Sequence, residues 1–266
     1  MTDTQRAILV LRLAAPLQSW GGPSRYNRRE TRPQPTKSGI LGLLAAAEGR
    51  DRKAPITDLV GLQLGVRIDQ PGTLLRDYHT YSDHRGLPLL SAKANAKGEQ
   101  IRTTPPKYTG VTQRFYLQDA VFVATIRGRK TLLESLDEAI RHPVYPISLG
   151  RRSCPPTGPV SLGLRPDTEL EDALKEVPWQ AGTHRRSQVR DTTVSLEATV
   201  EDPAGDHLAV DVPDTYDLKT GTHFGRRTVR HLWVTLPTDR TRTPYSATDT
   251  GGAGKSGHDP FALLGW

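Results

Sequence analysis

Six apolar segments, each with its own periodicity and in a fixed order, constrain the first 165 residues more than any other feature. Ala7-Ile-Leu-Val-Leu-Arg-Leu13, within Gln5–Leu13, is a short run of strand formers. Thr36 stands as an N-cap before Ser38-Gly-Ile-Leu-Gly-Leu-Leu-Ala-Ala-Ala-Glu, and Gly49 falls where a helix stops. Leu62–Ile68 alternates as Leu-Gln-Leu-Gly-Val-Arg-Ile, the period of a half-buried strand, and Ala120–Ile126 is a further apolar segment. Arg129–His142 predicts an amphipathic helix with Leu132, Leu133, Leu136, Ala139 and Ile140 on one face, closed by Pro143. Val160–Leu164 supplies a last short strand. Strand, helix, strand, strand, helix, strand predicts an α+β, ferredoxin-like βαββαβ body of the kind shared by RNA-recognition domains. That order serves many functions and selects none by itself.

Between the middle strands lies a long insertion, residues 70–118. Its cations Arg76, Arg85, Lys93, Lys97, Arg102, Lys107 and Arg114 face only Asp77, Asp83 and Glu99, a balance of +4. A segment that long inside one domain is functional or disordered. The expectation is an extended hairpin that projects as a thumb. Residues 1–165 then form the body with its thumb, and residues 166–240 a smaller, mostly β C-terminal part. That part opens with a short helix near Glu169–Val177 and a basic stretch His184-Arg185-Arg186, and has strands near Thr193–Val200 and Arg230–Leu236. Residues 241–266 are rich in Gly, Ser, Thr and Pro and are expected to be a disordered tail.

The formal charge of +7, with a pI near 9.6, asks for an anionic partner. A membrane is the weaker choice, because the longest apolar-or-Gly run, Ile40–Ala47, is far too short to span. Arg12 interrupts the apolar stretch that begins at Ala7, which argues against a signal peptide. Cys154 stands alone, so an intramolecular disulfide and a Cys-rich zinc site are both excluded. The expectation is a soluble cytoplasmic protein with no cofactor or metal.

Several segments carry candidate chemistry. Arg25, Arg28, Arg29, Arg32 and Lys37 set five cations against Glu30, just before the N-terminus of the first helix at Ser38. Free amides and the helix dipole there suit a phosphate, and guanidinium groups can fork onto its oxygens. Trp20 or Tyr26 could stack on a base, although Trp20 reads more readily as a packing residue. Gly150-Arg151-Arg152, followed by Pro155-Pro156, is a turn able to present amides and cations to one anion, or simply a loop with surface arginines. His79 with Tyr78 and Tyr81 is the best place for metal-independent RNA cleavage by general acid–base chemistry, though a histidine in a basic loop more often touches phosphate. His79, Asp83 and His84 lack a fourth metal ligand. Gly254-Lys-Ser has the end of a P-loop without its first glycine, which falls on Asp249.

Leu11-Arg-Leu-Ala-Ala-Pro-Leu-Gln-Ser-Trp-Gly, Pro35-Thr-Lys-Ser-Gly-Ile-Leu-Gly-Leu-Leu-Ala-Ala, Leu75-Arg-Asp-Tyr-His-Thr and Leu149-Gly-Arg-Arg-Ser-Cys-Pro together resemble the CasD family of type I-E CRISPR Cascade, in the RAMP superfamily. The resemblance spans about the first 165 residues in the right order and is loose beyond Pro166. It implies a ferredoxin-like body with a thumb that binds and caps the 5′ handle of CRISPR RNA. It also implies contacts with the backbone and large subunits, and action on target DNA through the complex. The RNA contacts expected on this footing are Arg25, Arg28, Arg29, Arg32, Lys37, Ser38, Arg76, His79, Arg102, Lys107, Arg114, Gly150, Arg151 and Arg152. Guide-RNA cleavage in type I-E systems is implied to belong to another subunit. In the sibling type I-C systems the equivalent subunit is itself a nuclease with a Tyr, Lys and His group. An endoribonuclease using His79, Tyr78 and Tyr81 therefore stands as the alternative.

Overall fold

The strand that opens the chain, β1 (Arg6–Ala14), is apolar on both faces because both are covered. In the computed structural model, which describes residues 5–22, 27–217 and 223–238, it lies inside a seven-stranded sheet. Antiparallel neighbours flank it, β9 (Val121–Arg129) on one side and β10 (Ser161–Pro166) on the other. β9 pairs in turn with β4 (Gln63–Gln70), so four of the expected strands stand in the order β10-β1-β9-β4. The sheet continues through β11 (Thr193–Glu201), β13 (Phe224–Pro237) and the edge strand β12 (His207–Pro213), all antiparallel. The C-terminal strands thus extend the sheet of the N-terminal segments, joined where Ala198–Val200 meets Gly65–Arg67.

Helices α1 (Lys37–Ala47) and α3 (Lys130–Arg141) cover one face over Leu9, Leu11, Leu13, Phe122 and Ile126. Thr36 caps α1 by accepting from the Gly39 amide at 3.2 Å, and Gly49 ends it with φ +78°. A single turn, α2 (Thr57–Val60), brings Leu59 into the same core. On the other face α4 (Leu170–Glu176) packs Ala173 and Leu174 against Ile8, Val10, Val123 and Ala198, and is followed by α5 (Thr183–Gln188). Arg67, fully buried, forks onto Asp69 at 2.7 and 2.8 Å and donates to the carbonyls of Leu174, Val177 and Pro178. A buried charge is tolerable only when it is so completely satisfied, and here it clamps the end of α4 to β4. The chain is mixed α and β, mostly sheet with few helices.

The insertion folds as a ladder. β5 (Thr73–Ser82) pairs antiparallel with β8 (Thr109–Gln118) along its whole length. Ten residues of strand reach roughly 33 Å. A smaller hairpin of β6 (Leu90–Ala94) and β7 (Gln100–Arg102) lies beyond Ser82. Gly72 has φ +72°, and a Cβ there would sit 2.4 Å from the Gln118 carbonyl, so the entry to β5 requires glycine. The segment Ala14–Pro35, read from sequence as loop, contributes two short strands on the other edge of β8: β2 (Leu17–Gln18), antiparallel, and β3 (Arg28–Arg29), parallel. Among the described residues no helix is long and apolar enough to cross a membrane.

Candidate nucleic-acid interface

Trp20 anchors the basic loop. It is fully buried against Gly39, whose added Cβ would meet the indole at 2.7 Å, so it is a packing residue. Its carbonyl accepts from the Arg32 amide at 2.7 Å and its amide donates to Thr31 Oγ1 at 2.9 Å. Residues 27–29 are laid against β8, where the Gln113 amide donates to the Asn27 carbonyl at 2.7 Å and Arg29 stands beside Arg114.

The Gly-Arg-Arg turn closes on the same place. Gly150 has φ +90°, and a Cβ on it would lie 1.7 Å from the Ser19 carbonyl oxygen; only glycine allows this approach. Arg151 then reaches over the Tyr116 ring at 4.6 Å and donates to the carbonyls of Phe115 (3.1 Å) and Arg29 (2.9 Å). Both bonds fix the guanidinium without neutralising it. Arg29, Arg114 and Arg151, with Thr112, line a cavity of about 400 Å³. Thr112 Oγ1 is buried there and has no hydrogen-bond partner among the described residues. An unsatisfied hydroxyl beside three guanidinium groups suits an oxyanion, whose oxygens can accept from all four.

Cross-strand pairing sorts the other candidates. His79 opposes Thr112 and Asp77 opposes Arg114, so these share the cavity's face, with His79 Nδ1 4.0 Å from Asp77 Oδ2. Tyr81 lies over Gly110, where a Cβ would meet its ring at 2.4 Å. Arg76 and Tyr78 alternate onto the opposite face, which also holds Arg28, 4.9 Å over Phe115 and 2.9 Å from Glu30. Tyr78 is thus separated by the sheet from His79 and Tyr81, the other two residues of the alternative catalytic reading.

Other expectations are corrected. Lys37 is buried and ion-paired with Glu201 at 3.0 Å, which removes it from any RNA surface. Two of the amides opening α1 are also spoken for: Lys37 N donates to Asp211 at 2.8 Å and Gly39 N to Thr36. The carboxylate of this chain takes the place proposed for a phosphate. The amide of Gly150 donates to Ser148 at 3.0 Å, so this glycine contributes shape and not a donor. Arg152 lines a different hollow of about 850 Å³, which Ser38, Gly42, Arg52 and the half-exposed Tyr145 share. Arg102 sits on β7 and Lys107 just before β8, beyond the Ser82–Thr109 end of the ladder, and neither lines the arginine cavity. Arg25, Tyr26 and the residues from 239 onward, including Gly254-Lys-Ser, lie outside the described residues. Thr112 was missed from sequence, although the period-2 pattern that puts Arg114 and Tyr116 on one face puts Thr112 there too.

Comparison with known proteins follows the same outline. Residues 8–230 match the family described as CRISPR-associated protein (Cas_Cas5). The chain is 36% identical over 183 residues to the "CRISPR system Cascade subunit CasD" of Escherichia coli (strain K12), covering 64% of this chain and 76% of that one. Its fold matches a chain of a "CRISPR RNA-guided surveillance complex" with TM-score 0.69 and 32% identity, over 86% of this chain and 91% of the other. It also matches a "Crystal structure of Cas protein" with TM-score 0.61 and 32% identity, over 90% and 98% of the two chains.

Proposed function

The chain belongs to the Cas5 family of CRISPR-associated proteins, and we propose that, as a CasD-type component of a type I-E Cascade complex, it binds and caps the 5′ handle of CRISPR RNA without cutting it. The observation that carries this reading is the meeting of Arg29, Arg114 and Arg151 with the unpaired Thr112 hydroxyl around one cavity. Three guanidinium groups line one cavity, and a single-strand phosphate has the charge and the acceptors to join them. Arg151 is held by two carbonyls before any ligand arrives, so little ordering is left to do on binding.

The order β10-β1-β9-β4, with α1 and α3 on one face, supports a ferredoxin-like body over residues 1–165. Residues 70–118 serve it as a thumb, and residues 166–240 as a smaller β-rich part. The thumb reaches toward the backbone and large subunits, through which the complex meets target DNA in the cytoplasm. The endoribonuclease alternative has less support, since Tyr78 and His79 project from opposite faces of β5.

The test is the salt dependence of binding to a handle RNA. Each single-strand phosphate neutralised contributes about 0.7 to the slope of log K against log salt. Arg29→Ala with Arg114→Ala, which together empty one phosphate site, should therefore flatten it by about 0.7 with the melting temperature unchanged. An unaltered slope would show that the cluster does not hold RNA.

A further inference from the structure

Among the described residues the seven-stranded sheet ends at β12, and no strand pairs with the outer side of its N-terminal half. Edge strands are ordinarily protected by lysine, proline, a bulge or a covering segment. β12 has a bulge between Val210 and Val212 and a proline at 213, both at its far end. His207–Val210 has neither. The hydrogen-bond direction there follows from the neighbouring strand. The Thr228 carbonyl of β13 accepts from the Asp202 amide at 3.2 Å, on the side away from β12. Thr228 and its partner Leu208 are therefore a non-hydrogen-bonded pair, and Leu208 turns its own N–H and C=O outward. Val210, opposite Arg226, does the same two residues on.

The same two residues carry exposed apolar side chains, Leu208 at 64% and Val210 at 51%. They share a sheet face with Phe224 and Arg226. Arg230, also on that face, is neutralised by Glu171 at 2.8 Å and Asp202 at 3.1 Å. Arg226 is exposed and has no such partner among the described residues. Main-chain groups at alternate residues, apolar side chains at the same residues and one uncompensated cation define a receptor for a strand. We propose that this edge accepts an extended segment of a neighbouring protein subunit by β-augmentation. That segment would carry apolar residues at alternate positions and a carboxylate that reaches Arg226. A second copy of this chain fits less well, because it would bring another uncompensated Arg226 to the edge. The inference rests on membership of a multi-subunit complex, not on the RNA cavity.

Hydrogen exchange of the peptide spanning Leu208 and Val210 tests it in three samples: the isolated chain, the chain with CRISPR RNA alone, and the assembled protein–RNA complex. Exchange should be fast in the first two and at least about 100-fold slower in the third. Leu208→Lys with Val210→Lys, and separately Arg226→Glu, should reduce recovery of the neighbouring subunit at least about tenfold. Handle RNA binding by the isolated chain should be unchanged in these variants. Equal exchange in all samples, protection by RNA alone, concentration-dependent protection of the isolated chain, or variants that assemble normally would each overturn the proposal.

Discussion

Arg151 and Arg152 are adjacent in sequence and serve different surfaces, the first the arginine cavity and the second the hollow beside α1. The motif Gly-Arg-Arg makes both look equivalent; what separates them is the left-handed glycine before them, which fixes the turn against Ser19. Gly150→Ala should cost about 3 kcal/mol or more, from the positive φ and from displacement of the Ser19 carbonyl, and should be read as a lowered melting temperature. Lys37 is the opposite case, a cation that looks available in the sequence and is consumed by the fold. Lys37→Met should destabilise by about 2–3 kcal/mol, less than an isolated buried pair, because Arg227 remains 3.7 Å from Glu201. The salt slope for RNA should not move. A flattened slope without loss of stability would return Lys37 to the RNA surface.

At the scale of elements, the segments with a clear period were legible and the short ones were not. β1, α1, β4, β9, α3 and β10 each repeat an apolar position often enough to be recognised. β2 and β3 have two residues apiece, so they carry no period and read as loop, yet they place Arg29 beside Arg114. The helix N-terminus misled for a related reason: Asp211, which occupies it, comes from β12, 174 residues away. Thr112 followed from the β8 alternation but lacked any charge to draw notice. The ladder of β5 and β8 contributes nothing to either core between Ile68 and Tyr116. Replacing Asp83–Tyr108 by a two-residue turn should therefore leave the melting temperature within about 2 °C. A fall of 10 °C or so would mean that the distal hairpin braces the body.

For the whole molecule, one sheet runs from β10 to β12, and a second has β8 as the shared support for β2, β3 and β5. The charge of +7 is spread along the chain, and folding rather than sequence proximity concentrates part of it. Buried or paired cations such as Arg67, Lys37 and Arg227 leave the count, while Arg29, Arg114 and Arg151 arrive from three distant segments. In the proposed function this cluster grips the RNA handle. Photo-crosslinking of an assembled complex, with a reactive nucleotide at each handle position in turn, addresses it most directly. Crosslinks are expected in the peptides spanning residues 27–32, 110–116 and 149–153. Crosslinks confined to the distal hairpin or to the N-terminus of α1, with none in those three peptides, would contradict it.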